Sequence, residues 1–103
     1  MKIAERYVAV DYMVAFGYIT QMKRLVYSRD ALRTLRKIPA NISLRIRSKI
    51  EAYARDPASQ AYNIKVLKGH EEIRLRIGDW RVIMNDRGEV LKISKIAPRS
   101  KAY

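Results

Sequence analysis

Apolar and charged residues alternate through residues 72–77, break at Gly78-Asp79, and alternate again through residues 80–82 before the apolar pair Ile83-Met84. Strict alternation predicts half-buried strands, and a Gly-Asp pair between two such runs predicts a two-residue β-hairpin loop. The loop fixes the predicted register, in which the facing pairs are Ile77 with Trp80, Arg76 with Arg81, Leu75 with Val82, Arg74 with Ile83, and Ile73 with Met84. One face of the hairpin is then apolar, and the other gathers guanidinium groups.

A second tight turn is predicted at Arg87-Gly88, followed by a strand over residues 90–94. A two-residue loop there pairs Met84 with Leu91, Ile83 with Lys92, Val82 with Ile93, and Arg81 with Ser94. In this register Lys92 and Ser94 join the face that carries the arginines. Both turns assign the same residues to the apolar face, and this agreement favours a sheet that is apolar on one side and basic on the other.

The chain before these strands predicts a short strand over residues 24–27 and two helices. Ser28 is a suitable N-cap, since its hydroxyl can accept a hydrogen bond from an orphan backbone N–H of the first turn. Leu32, Leu35 and Ile38 recur at helical spacing, and Pro39 ends the first helix. Residues 62–67 fit either a short strand or a loop.

The second helix is predicted from Ala40 to Arg55, where one apolar stripe is formed by Ile42, Ile46, Ile50 and Tyr53. Asp56-Pro57 ends it, because the residue before proline disfavours helical backbone angles. The predicted fold class is α+β, in the order β-α-α-β-β-β. It consists of a two-helix antiparallel hairpin packed on one face of a small antiparallel β-sheet, with the other face open and basic.

The charge of the chain is +12 over 103 residues, with a pI near 10.3, which points to a polyanionic partner such as nucleic acid. The absence of cysteine excludes disulfides and thiolate chemistry, and a single histidine excludes a histidine-based metal site. We find neither a membrane-spanning segment nor a signal peptide, and we expect a cytoplasmic protein that does not bind membranes.

Residues 1–21 differ from the rest, because their charges cancel and the whole +12 lies from Met22 onward. Two interpretations stay open: an N-terminal extension that adds a strand or helix, or a segment upstream of a natural start at Met22. Residues 22–103 are predicted to form the functional domain.

The basic sheet face holds Arg74, Arg76, Arg81, Lys92 and Ser94, and the tail adds Arg99, Lys101 and Tyr103. The planar fork of arginine matches phosphate oxygens, and an aromatic ring nearby can stack on a base. These residues suit an RNA-binding surface. They also suit a metal-free ribonuclease, which needs a base for the 2′-hydroxyl, cations for the pentacovalent phosphorane and an acid for the leaving oxygen.

Several segments together resemble the RelE/ParE superfamily of toxin–antitoxin toxins, over residues 22–103. They are Tyr27-Ser28 before a leucine-rich helix, the Ile38-Pro39 break before a helix that ends at Asp56-Pro57, Val66-Leu67-Lys68-Gly69, residues 73–83, and the basic ending of residues 96–103. The RelE-like branch is favoured. The resemblance implies a metal-independent, ribosome-dependent mRNA endoribonuclease without a cofactor, which inhibits translation.

Position by position, the resemblance makes Arg81 the contact to the scissile phosphate, and makes Arg74 and Arg99 further catalytic residues. It assigns Tyr103 to orienting the substrate nucleotide. RNA contacts are expected from Arg76, Lys92, Lys68 and Lys101. The chain departs from the family at Glu72, which stands where well-known members have lysine, and at Arg74, which replaces a lysine.

The expected partners are the ribosome, mRNA and a cognate antitoxin with an acidic or amphipathic segment, which we expect to contact the second helix near Tyr53 and Ala54. Two other functions remain open: a ParE-like inhibitor of DNA gyrase, and a non-catalytic RNA-binding module.

Overall fold

The computed structural model describes residues 7–10, 22–67 and 72–102. Its strands are β1 (Tyr7–Val10), β2 (Arg24–Ser28), β3 (Ile64–Val66), β4 (Glu72–Ile77), β5 (Trp80–Asp86) and β6 (Val90–Pro98). Its helices are α1 (Arg29–Lys37) and α2 (Ala40–Arg55), with two short 3-10 helices over Pro57–Asn63 and Arg99–Lys101. These strands form one sheet in the order β1-β2-β6-β5-β4-β3.

The sheet is mostly antiparallel, and the two helices pack on one of its faces, so the predicted α+β fold is confirmed. β2 and β6 run parallel to each other, and both helices as well as β3, β4 and β5 lie between them along the chain. β1, which lies within the first 21 residues, pairs antiparallel with β2.

Both helices begin and end where the sequence places them. Ser28 caps α1, and its Oγ accepts a hydrogen bond from the Ala31 N–H at 2.9 Å. α2 spans Ala40–Arg55 and ends at Asp56, before the proline. Among the described residues, no helix is long and apolar enough to cross a membrane.

The core lies between the helices and the apolar sheet face. Buried side chains from the strands are Leu25, Tyr27, Ile73, Leu75, Ile77, Val82, Met84, Leu91 and Ile93, and those from the helices are Ala31, Leu35, Ile46, Ile50, Tyr53 and Ala54. Trp80, which the predicted register places opposite Ile77 on the apolar face, lies partly buried against the core.

The first hairpin has the predicted register at every pair, from Ile77 with Trp80 to Ile73 with Met84. Gly78 has a φ of +57°, as the first residue of a two-residue hairpin loop requires. Arg76 and Arg81 therefore lie directly opposite each other on the face away from the helices.

The predicted register of the second hairpin is wrong. Met84 pairs with Ile93 instead of Leu91, because the turn lies one residue further along the chain than predicted: the Arg87 N–H bonds to the Val90 carbonyl, so that the turn is centred on Gly88-Glu89. The Asp86 carboxylate accepts a hydrogen bond from the Gly88 N–H at 2.9 Å, which stabilises the turn in this position.

A β-bulge then shifts the pairing again between Ile83 and Met84, so that Ile83 faces Lys95. Ser94 is the extra residue, and its Oγ donates to the Ile83 carbonyl oxygen at 3.0 Å. Ser94 therefore does not face Arg81, which pairs with Ala97. The register is displaced by two residues, an even number, so Leu91 and Ile93 still face the core. The bulge turns Ile96 toward the core as well.

A polar cluster of Asp86, Tyr53 and Lys23, here called the Asp86 cluster, ties the far end of β5 to α2 and to the segment before β2. The Tyr53 hydroxyl donates to Asp86 at 2.6 Å, and the Lys23 ammonium lies 3.2 Å from the same carboxylate. These contacts hold the pKa of Asp86 below its usual range, although partial burial acts to raise it. Burial and the neighbouring carboxylate raise the pKa of Tyr53.

Candidate functional site

Three arginines lie together on the open side of the sheet, and we call this surface the arginine face: Arg74 and Arg76 on β4, and Arg81 on β5. Alternation puts these side chains on the side opposite the core, because successive residues of a strand point to opposite faces. Like charges directly opposite each other destabilise a sheet. The arrangement of Arg76 against Arg81 therefore favours a bound anion.

Two hydrogen bonds hold the side chain of Arg81 in place. Its Nη1 donates to the carbonyl oxygens of Gly78 and Trp80, both at 2.9 Å, so the hairpin loop itself holds the guanidinium. Partial removal from water lowers the pKa of Arg81, and the positive charges of Arg74, Arg99 and Arg76 lower it further. Arginine nevertheless stays charged at physiological pH, so the guanidinium of Arg81 is a cation held in place among other cations.

The side chains of the arginine face share an open cavity of about 250 Å³ with residues of the preceding segment, namely Tyr62, Asn63, Ile64 and Lys65. The Asn63 Oδ1 accepts a hydrogen bond from Arg76 Nη2 at 3.1 Å, which fixes that guanidinium at the edge of the cavity. Lys65 pairs in register with Arg74 and adds another positive charge.

The C-terminal tail returns to this site. The Arg99 N–H donates to the Asp79 carbonyl oxygen at 2.7 Å, and Ala102 is buried, so the short helix Arg99–Lys101 is held against the hairpin loop. Arg99 lies close enough for its charge to act on Arg81, while Lys101 is exposed on the same turn. Lys68 and Tyr103, both predicted site residues, lie outside the described residues.

Lys92 is on the same side of the sheet as the arginines but at its other end. It pairs with Asn85, whereas Arg81 pairs with Ala97, five residues further along β6. At about 3.3 Å per residue this is a separation of roughly 15 Å. Lys92 is therefore not part of the cavity, because the loop and the bulge moved the register.

Sequence reasoning missed Lys65 and Tyr62, and it assigned no specific role to Arg45 and Lys49. The latter two project from α2 and line a second open cavity, of about 420 Å³, together with Arg76 and the hairpin loop. Arg45 lies against this loop, since a Cβ atom at Gly78 would be 3.5 Å from its guanidinium. The basic surface thus continues from the arginine face around the loop to α2.

The margins of α2 do not offer the contact surface that was expected for a partner. Tyr53 and Ala54 are both buried in the core. The exposed apolar side chain on this helix is Leu44, which is 65% exposed and borders an open groove of about 380 Å³ between α1 and α2. Its basic lining residues are Arg36 and Arg47.

Comparison with known proteins agrees with this architecture. The family model of the ParE toxin of the type II toxin–antitoxin system parDE matches residues 25–103. The chain therefore belongs to this family, and it is a type II toxin of the RelE/ParE superfamily. A search of curated proteins finds no match.

Three similar solved structures are RelE toxin–antitoxin complexes. The archaeal RelE–RelB complex from Pyrococcus horikoshii OT3 is matched at 25% identity and a TM-score of 0.66, over 79% of this chain and 99% of that chain. The toxin–antitoxin complex RelBE2 from Mycobacterium tuberculosis is matched at 19% identity and a TM-score of 0.60, over 76% and 98%. The RelB–RelE complex from Methanococcus jannaschii is matched at 24% identity and a TM-score of 0.55, over 75% and 93%. The fold is therefore RelE-like.

Proposed function

We propose that this toxin is a ribosome-dependent mRNA endoribonuclease, which arrests translation by cutting mRNA without a metal ion. The observation that carries the proposal is the convergence of Arg74, Arg76 and Arg81 on one open cavity, with Arg99 beside them. Preorganised cations of this kind stabilise the extra negative charge that develops on phosphate in the transition state of RNA cleavage.

In the proposed reaction the 2′-hydroxyl of one nucleotide gives up its proton to water and its oxygen attacks the adjacent phosphorus, so that a 2′,3′-cyclic phosphate forms; the bond to the 5′-oxygen of the next nucleotide breaks, and that oxygen takes up a proton from water. Arg81 binds a non-bridging phosphate oxygen, and its two carbonyl contacts keep it in place before substrate arrives. Arg74 and Arg76 share the charge of the phosphorane, and Arg99 stabilises the leaving oxygen. Tyr103 orients the nucleotide.

The second cavity supports binding to the ribosome. Arg45 and Lys49 extend the positive surface away from the proposed cleavage site and onto α2. Contacts from such residues to an RNA backbone are electrostatic and do not depend on sequence. Their role is to dock the toxin on ribosomal RNA while the arginine face engages the mRNA.

The proposed inhibitor is a cognate antitoxin, as in the RelE–RelB complexes that share the fold. An amphipathic segment with acidic residues fits the groove beside Leu44, since its apolar side would cover the leucine and its acidic side would meet Arg36 and Arg47. Electrostatic attraction of this kind speeds association.

A ParE-like inhibitor of DNA gyrase is the second candidate, and the matching family model favours it by name. The two functions differ in what the arginine face must do. A nuclease needs its cations around the scissile phosphate, whereas an inhibitor that binds a protein surface has no such requirement.

Induced expression in a bacterial host, followed by mapping of mRNA 5′ ends, separates the candidates. The proposal predicts new 5′ ends at a fixed phase within codons of translated mRNA, together with arrested translation. A DNA-damage response with intact mRNA would overturn it in favour of gyrase inhibition. An Arg81→Ala variant expressed at the same level is the control, and it should yield neither the new ends nor the arrest.

A further inference from the structure

Tyr62 is an exposed aromatic residue at the edge of the arginine face. Its side chain is 99% exposed, yet it lines the same cavity as Arg74, Arg76 and Arg81. A single apolar side chain on a surface is ordinary. A tyrosine that shares a cavity with three guanidinium groups is a more specific arrangement, because it places a flat ring beside a phosphate-binding surface.

The segment that carries Tyr62 is held firmly by its neighbours. The short helix starts with Pro57, and Ser59 Oγ donates to the Asp56 carbonyl oxygen at 2.7 Å. Gln60, two residues before Tyr62, is buried at 6% exposure. On the other side, Asn63 accepts the hydrogen bond from Arg76. The fold therefore fixes the backbone of Tyr62 relative to the arginine face and leaves its ring in water.

We propose that Tyr62 is a stacking platform for an unpaired base of single-stranded RNA whose phosphate is bound by the arginine face. This inference rests on the proposed function, since it takes the substrate to be RNA. Bases stack on aromatic side chains in single-strand binding sites, and each such contact improves affinity about five-fold to a hundred-fold. The site then has two parts: cations that hold the backbone, and a ring that holds the neighbouring base.

The test is equilibrium binding of a short, fluorescently labelled single-stranded RNA to the purified toxin, with Tyr62→Ala and Tyr62→Phe compared with wild type. Tyr62→Ala should weaken binding about five-fold to a hundred-fold. Tyr62→Phe keeps the ring and should stay within about two-fold of wild type. The matched control is Val66→Ala, at a residue that is 52% exposed on β3 but is not part of the cavity lining. It should bind as the wild type does.

The salt dependence provides an independent readout. Because Tyr62 contacts a base and not a phosphate, its removal should leave the slope of log affinity against log salt unchanged. Arg76→Ala, in contrast, should make that slope shallower. A change of slope in Tyr62→Ala would contradict the stacking role.

RNA that lacks a single base at successive positions locates the contact. Wild type should lose affinity when one particular base is missing, and Tyr62→Ala should be insensitive to the same omission, since both changes remove one interaction. Equal RNA affinities of wild type and Tyr62→Ala would overturn the proposal. So would a Tyr62→Ala variant that loses antitoxin binding alone, because the tyrosine would then belong to a protein interface.

Failure of this inference can be told apart from failure of the proposed function, because binding is measured without cleavage. If codon-phased cleavage occurs in cells while Tyr62→Ala binds RNA normally, the nuclease proposal stands and the stacking platform is wrong. If no cleavage occurs but the base-specific loss is seen, Tyr62 holds RNA in a protein that does not cut it.

Discussion

The two ends of β5 carry polar clusters of opposite design. At one end, on the open side of the sheet, Arg81 lies among other cations, and partial removal from water together with their repulsion lowers its pKa. At the other end, on the side of the helices, Asp86 is bonded by the Tyr53 hydroxyl and paired with Lys23. The second cluster is balanced in charge, whereas the first gathers several positive charges, which favours an anion as its ligand.

The Asp86 cluster at one end of β5 therefore serves folding, and the arginine face at the other end serves function. A balanced, partly buried cluster stabilises the fold, because removing one member takes a hydrogen-bond or ion-pair partner away from another. A cluster of like charges destabilises the fold, and we expect it to be retained because it binds an anion. We therefore expect substitutions at the two ends of β5 to have opposite consequences.

The largest expected effect is on cleavage, at the unbalanced end. Arg81→Ala should reduce mRNA cleavage about a hundred-fold to a thousand-fold, as loss of one transition-state donor commonly does. Cleavage is measured by 5′-end mapping, together with growth after induction.

The matched measurement for Arg81→Ala is thermal unfolding. The side chain lies off the core face, and its removal also relieves repulsion, so the free energy of unfolding should change by less than about 0.5 kcal/mol. Full toxicity in this variant would show that the arginine face is not the phosphate site.

At the balanced end the expected effect is on stability. Asp86→Ala should lower the free energy of unfolding by about 2–3 kcal/mol, because the Tyr53 hydroxyl and the Lys23 ammonium both lose a charged partner. Denaturant unfolding measures this loss. Cleavage by this variant, assayed well below its unfolding temperature, should be near that of wild type. A loss of cleavage comparable to that of Arg81→Ala would contradict the assignment of Asp86 to stability alone.

Deletion of Tyr103 should have a smaller effect, about a ten-fold loss of cleavage with little change in ribosome binding. Electrostatic contacts by the many lysines and arginines dominate affinity for the ribosome, and a single aromatic residue adds little to it. Cleavage assays and co-sedimentation with ribosomes measure the two quantities. A parallel loss of both would assign Tyr103 to docking.

The smallest effect concerns pH. Since the pKa of Asp86 is lower in the folded chain than in the unfolded chain, its contribution to stability is complete above about pH 4. That contribution is lost as the pH falls through the folded value, where the carboxylate is protonated. Asp86→Asn should therefore show a shallower loss of stability under acid than wild type, measured by unfolding at several pH values. An identical acid profile in the two proteins would contradict this assignment.

Local patterns predicted the first hairpin fully, because two alternating runs and a Gly-Asp loop leave one register. The second hairpin was harder, since the position of its turn and the bulge both depend on side-chain contacts of Asp86 and Ser94. The sequence did contain a signal for the bulge: Ser94-Lys95 places two polar residues in succession between Ile93 and Ile96, which interrupts the alternation.

The arginines of the site were predictable for the same reason, as they belong to the first hairpin. Tyr62 and Lys65 were not, because they reach the arginine face only through the short helix and the pairing of β3 with β4. No local pattern in residues 57–66 shows which sheet edge they join. The site residues that could not be predicted from the sequence are therefore those that a long-range strand pairing brings to the arginine face.

Cleavage of mRNA on purified, programmed ribosomes tests the central claim most directly. We expect the toxin to cut ribosome-bound mRNA at the codon in the decoding site and to leave free mRNA intact, and we expect Arg81→Ala to cut neither. Gyrase supercoiling activity, assayed with the same toxin preparation, should be unaffected. Intact mRNA on the ribosome together with inhibited gyrase would contradict the account and would assign the arginine face to another role.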